Sequence, residues 1–153
     1  MSAYSGTHIG GDGGSRMHRN GFDIRTLSAT SFEDHHAHLL RLDYLDRCLF
    51  FSSGNDDRAV DAHCLRLMSS DAIVIGAYDG GRLRASVEIV PEHGGRRAMA
   101  TLIAEPDYQS DDLAEAMMTR ARDEAAKHEF GRLEFVGMTG TPQTVRTQIA
   151  RFG

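Results

Sequence analysis

The stretch EPDYQSDDLAEAMM, residues 105 to 118, reads as the end of a strand, a tight loop and the opening of a helix. Pro106 stops a strand ladder because it has no N–H to donate. Ser110 stands where a helix N-cap is needed. Asp111, Asp112 and Glu115 follow in the first turn, where the helix dipole favours negative charge. Leu113, Ala116, Met117, Ala121 and Ala125 then fall on one stripe. The helix is therefore expected from Asp111 to about Glu129, with Gly131 placed for a left-handed C-cap.

Upstream of this junction, RRAMATLIAEP (96–106) reads as a strand. Before it, AIVIGAYDGGRLRASVEIVP (72–91) holds two apolar strands joined by Asp79, Gly80 and Gly81, residues that tolerate the positive φ of a hairpin turn. Further back, NDDRAVDAHCLRLM (55–68) carries Val60, Cys64, Leu67 and Met68 at helical spacing behind a cap at Asn55 or Asp56. SFEDHHAHLLRL (31–42) predicts a helix from Phe32 to Leu42 with Ser31 as cap, and the segment DRCLFFSSG after it reads as a link. FDIRTLS (22–28) alternates as a half-buried strand does. Downstream, RLEFVGMT (132–139) predicts a strand, and Thr141-Pro142 opens TPQTVRTQIARF (141–152) as a last helix. Residues 1–20, rich in Gly, Ser and His, have little to bury and read as a flexible tail before a single domain over 21–153.

The chain has 153 residues, 41% of them apolar, which suits one domain with a substantial core. A net charge of -5 offers no reason for it to approach nucleic acid or an anionic membrane. No segment has the apolar length of a membrane span, and the N-terminus lacks the order of a signal peptide. Cys48 and Cys64 are too few for a disulfide framework, so free thiols and a cytoplasmic setting are expected. The seven methionines read as core filler.

The expected order, β-α-α-β-β-β-α-β-α, gives an α/β (α+β) class with a mixed, mostly antiparallel sheet flanked by helices. This order resembles that of the Gcn5-related N-acetyltransferase (GNAT) family. The likeness is carried by LRLDYLDRCLFF (40–51), similar to an L-x-x-x-x-R-x-x-R-F-F signature, by the 72–91 hairpin and by LIAEPDYQSDDLAEAM. The family's Q/R-x-x-G-x-G/A motif falls on Gln109-Ser110-Asp111-Asp112-Leu113-Ala114, matching at the first and last positions but not at the middle glycine. The resemblance implies acyl transfer from acetyl-coenzyme A (acetyl-CoA) to a small-molecule or protein amine. It also implies that this loop and the helix start bind pyrophosphate through backbone N–H groups, while Leu102, Ile103 and Ala104 pair with the pantetheine arm.

Asp112 puts a Cβ and a charge where that glycine would stand. Two aspartates facing a pyrophosphate at about 6 Å in water would cost on the order of 3 kcal/mol. That is roughly a hundredfold in affinity. The competing expectation is an ordinary helix start whose carboxylates satisfy the dipole themselves, in a GNAT-like binding or dimerisation domain that does not bind acetyl-CoA.

Acyl transfer to an amine needs a base. Two positions where the family often has a base and an acid fall near Ala98 and Ile149, which cannot titrate. Glu88, inside the hairpin, is the candidate catalytic residue, against the alternative of a solvent-facing strand position; Glu105 is the weaker candidate. His35 and His38 share a helix face, yet a solvated face is favoured over a metal site, and no metal is assigned. His93 in a turn and His128 near a helix end need no function, and Cys64 reads as core. The resemblance also implies two strands beyond the last helix. With the sequence given ending at Gly153, the 132–139 strand is expected to keep an open edge that a homodimer would cover.

Overall fold

The computed structural model describes residues 16–17, 21–51, 54–92, 94–136 and 148–151. It contains strands β1 (Arg16–Met17), β2 (Asp23–Thr26), β3 (Ile73–Asp79), β4 (Arg82–Pro91), β5 (Arg97–Ala104), β6 (Arg132–Val136) and β7 (Gln148–Arg151). The helices are α1 (Phe32–Leu40), α2 (Tyr44–Phe50), α3 (Asp57–Met68) and α4 (Asp111–Lys127). The strands form one seven-stranded sheet in sequence order, antiparallel at each step except β5 to β6. The parallel step requires a crossover, which α4 supplies.

Alternation along β4 and β5 sorts the core into two layers. Ala85, Val87, Ile89, Ala100, Leu102 and Ala104 face Leu113, Met117, Met118 and Ala121 of α4. On the other face, Ile103 meets Leu39, Leu42, Phe51, Val60 and Cys64 of the α1–α3 layer. Gly80 and Gly81 turn the β3–β4 hairpin with φ of 62° and 85°, as the sequence predicts. One residue, Arg84, is extra in that pairing: Ala77 faces Ala85 and Tyr78 faces Leu83. This bulge aims Arg84 toward the loop after β5.

Four expectations are corrected. Arg16–Met17 lie in the stretch read as a tail but pair with Ile24 and Asp23; the remainder of 1–20 lies outside the described residues. The segment read as a link contains α2, capped by Asp43, whose side chain accepts from the Asp46 N–H. The left-handed residue ending α4 is Glu129 at φ 63°, not Gly131. Phe130 N–H reaches Ala125 O and Glu129 N–H reaches Ala126 O, so the helix closes in a Schellman motif two residues early. Finally, Gln148–Arg151, read as part of a last helix, form β7 against β6. Pairing with the unpaired backbone of β6 outweighs local helical spacing there. The edge assigned to a homodimer is thus filled from within the chain. Residues 137–147, including the Thr141-Pro142 helix start, lie outside the described residues.

Candidate active site

The junction after β5 is built as a strand leading directly into a helix start. Among the described residues β5 pairs with β6 from Arg97↔Arg132 to Thr101↔Val136, and its last residues, Leu102, Ile103 and Ala104, are paired to β4. A 3-10 turn over Pro106–Tyr108 follows. The Tyr108 hydroxyl donates to Asp79 at 2.9 Å, and the Arg84 guanidinium lies 5.4 Å from the Tyr108 ring centre. Gln109 Nε2 donates to Ala104 O at 3.1 Å, clipping the loop to the strand end. Ser110 caps α4: its Oγ accepts the Leu113 N–H at 3.2 Å and its carbonyl accepts that of Ala114 at 3.1 Å. The first-turn amides of Asp111 and Asp112 precede the helix's own ladder and are its outward donors. Both aspartate side chains are exposed, whereas Leu113 and Ala114 are buried against the sheet.

On the α1–α3 face, Glu88 sits opposite Thr101 of β5. It is buried, at 2% exposure, and not the solvent-facing residue of the alternative reading. His35 Nε2 lies 2.7 Å from Glu88 Oε2. His63 Nε2 lies 2.9 Å from both Glu88 oxygens. Burial pushes the Glu88 carboxyl up, but hydrogen bonds from His35 and His63, with their charge, outweigh it and hold the group at about 2. Glu88 is therefore a fixed carboxylate that accepts an N–H from each imidazole. His35 is wholly buried, and its Nδ1 has no partner among the described residues. His63 is different: its side chain is 18% exposed, and it packs edge-on against Phe50 and Phe51.

A second buried carboxylate lies one step along the same face. Glu105 Oε2 accepts from His38 Nδ1 and Arg41 Nε, both at 2.9 Å, and Oε1 accepts from Arg84 at 2.8 Å. Burial raises the Glu105 carboxyl, but these donors lower it further than burial lifts it. His38 Nε2 is 3.2 Å from Ser86 Oγ. Burial drives His38 down to about 4 against the opposing bond to Glu105, with His35 nearby adding to the fall. His38 is consequently neutral, donating through Nδ1 and accepting the Ser86 hydroxyl at Nε2. Glu105 acts as a clasp joining α1, β4 and the start of the loop after β5.

His35 and His38, expected on a solvated face, are thus both fully buried and bonded to carboxylates. Among the described residues no group of three or more His, Cys, Asp or Glu is placed to hold a metal ion. Sequence reasoning missed His63 as a site residue. Its partnership with Glu88 spans 25 positions and that of His35 spans 53, separations that no local pattern encodes. One signal was available: His35, His38, Leu39 and Leu42 follow i, i+3, i+4, i+7, the spacing of a buried stripe. Ala98 is buried on β5. Ile149, expected on the last helix, lies on β7 opposite Glu134.

No protein-family model matches the chain, and no curated protein matches it by sequence. Solved structures do match. The GNAT domain of S. lividans PAT superposes with a TM-score of 0.64 at 15% identity, covering 79% of this chain and 76% of that one. The ribosomal-protein-alanine N-acetyltransferase from Brucella melitensis biovar Abortus 2308 gives 0.58 at 19% identity, covering 80% and 82%. The spermidine N-acetyltransferase from Vibrio cholerae, solved with CoA and spermine, gives 0.55 at 14% identity, covering 74% and 69%. With its sheet order, its crossover helix and its strand-to-helix junction, the chain has the GNAT fold.

Proposed function

We propose that this protein is an N-acyltransferase that uses acetyl-CoA to acylate an amine. The observation that carries the reading is the junction: β5, paired to β4 through Leu102–Ala104, leads through one 3-10 turn into the capped start of α4. A chain segment with amide groups, such as a pantetheine arm, can pair with Leu102–Ala104 as an added strand would. The outward amides of Asp111 and Asp112 would then receive its pyrophosphate, with Gln109 and Ser110 fixing the loop and Leu113 and Ala114 anchoring the helix beneath. From Ala104 back to Thr101 is three residues, about 10 Å at the rise of a strand. That reach ends beside Glu88. The group suits this site through backbone and strand edge; the Asp111 and Asp112 carboxylates oppose it. When bound, it supplies the activated acyl carbon, and this chain supplies orientation and a place for the amine's proton. In two of the matched proteins the named acceptors are amines, ribosomal-protein alanine and spermidine. An amine acceptor is accordingly proposed here.

The second reading, a GNAT-fold domain that binds no acyl-CoA, is favoured by one specific observation: two exposed carboxylates in the first turn of α4. Thermal unfolding with acetyl-CoA separates the two. A ligand at 100 times its Kd stabilises the native state by about 2.7 kcal/mol, a rise of about 5 °C or more in Tm for a chain of this size. Such a rise supports the enzyme; an unchanged Tm at millimolar acetyl-CoA supports the second reading.

A further inference from the structure

We infer that His63 is the general base of this site, accepting the amine's proton at Nδ1 while Glu88 fixes its ring. This rests on the acyl-transfer reading above. Glu88 itself is a poor proton acceptor because both of its oxygens are engaged by imidazole nitrogens. Those same contacts determine which nitrogen of His63 is free. An ionised carboxylate only accepts, so the nitrogen at 2.9 Å, Nε2, carries the hydrogen. A neutral imidazole then presents its lone pair at Nδ1. His63 Nδ1 has no partner among the described residues and belongs to a side chain that is 18% exposed, whereas His35 Nδ1 is buried without a partner among those residues. One imidazole is therefore enclosed and the other partly open.

The surroundings fit a proton acceptor held in one orientation. Phe50 and Phe51 pack edge-on to the His63 ring, with centroids 4.9 and 5.3 Å away, and restrict its rotation. His35, anchored in α1, takes the other side of Glu88 and keeps the carboxylate from turning toward solvent. Beside His63 stand Glu88 from β4 and His35 from α1, which shares Glu88 Oε2, with Asp61, Cys64 and Arg66 near it in the sequence of its own helix. α2 and the residue after it contribute the uncharged Phe50 and Phe51. Burial, with Glu88 and Asp61 nearby, holds the Cys64 thiol up at about 11, so it stays protonated and does not compete.

The chemistry balances. An ammonium acceptor gives one proton to His63 Nδ1, which later passes it to solvent. The freed amine nitrogen bonds to the acyl carbon and the C–S bond breaks, its electron pair leaving with sulfur. The second N–H proton then goes to that sulfur, giving amide and thiol.

Two measurements test this. Long-range 1H–15N NMR of the wild-type protein near pH 8 should show His63 as the Nε2–H tautomer; the Nδ1–H tautomer overturns the assignment whatever the acceptor. Thiol release from acetyl-CoA is then followed against pH with spermidine, an N-terminal alanine peptide and water as acceptors. Acetyl-CoA affinity is measured separately by calorimetry. His63→Gln should bind acetyl-CoA as wild type does, lose about a hundredfold in kcat and lose the acid limb of the profile. A variant within threefold of wild type with the same limb overturns the proposal. So does a wild type that binds acetyl-CoA and releases thiol with none of these acceptors. Failure of the wild type to bind acetyl-CoA instead overturns the acyl-transfer reading, with the tautomer result still standing.

Discussion

A carboxylate that accepts from two imidazoles in a buried layer changes what each histidine can do. His38 and Glu88 are both held below their ordinary values, His38 from 6.5 to about 4 and Glu88 from 4.5 to about 2. In both cases the unfolded chain binds the proton more readily. Their stabilisation is thus complete above the ordinary value and is lost as pH falls through the folded one. Chemical denaturation should show stability falling from pH 6.5 to 4 by on the order of 3 kcal/mol from His38. Glu88 extends the loss between pH 4.5 and 2. A flat stability from pH 6.5 to 4 contradicts the neutral, buried His38. At the start of α4, Asp112→Gly removes a charge and a Cβ. Acetyl-CoA affinity should rise by up to tenfold, the scale of one aspartate against two phosphate charges. Unchanged affinity in calorimetry shows that the side chain points away from the ligand. The residues of this loop are legible in sequence because cap, dipole and motif are local. Glu88 is legible as an acid on the right strand, but its partners are not, since they arrive from α1 and α3.

Elements were readable where their signals were local and hidden where pairing decided. The β3–β4 hairpin follows from Asp79-Gly80-Gly81, and α3 follows from its Asp56 cap, which accepts the Ala59 N–H at 3.0 Å. Helix α2 has only seven residues, too short for a periodic stripe, and depends on anchors elsewhere. Arg47 supplies them: its guanidinium donates to Leu40 O at 2.6 Å and to Asp57 at 2.9 Å, tying α2 to both neighbouring helices. This gives the arginine of the 40–51 signature a structural role. The end of α4 carries its own prediction. Glu129 occupies the left-handed region that favours glycine. Glu129→Gly should therefore stabilise the fold by roughly 0.5–1 kcal/mol, the relief at φ 63° being partly offset by a freer unfolded chain. Equal or lower stability by urea denaturation contradicts the Schellman assignment.

At the scale of the molecule, one sheet separates two kinds of interior. The α4 layer is largely apolar, with one buried carboxylate, Glu124, held by Thr26, while the α1–α3 layer carries Glu88, Glu105 and the buried imidazoles. The order of elements, and with it the fold, was legible because, apart from the short β1 and α2, each hydrophobic period matched its element up to β6. Beyond β6 the outcome depended on the sheet's free edge, which β7 fills. The proposed function puts cofactor recognition at the end of β5 and proton handling on the α1–α3 face, with Thr101 opposite Glu88 between them. The central claim is that acetyl-CoA binds along Leu102–Ala104 and at the start of α4. Titration of the labelled protein with acetyl-CoA, followed by backbone amide NMR, tests it most directly. The account predicts shifts concentrated at 101–104 and 109–114, with His63 perturbed and the outer face of α4 unchanged. No shifts at these amides with millimolar acetyl-CoA, or shifts centred elsewhere, would contradict it.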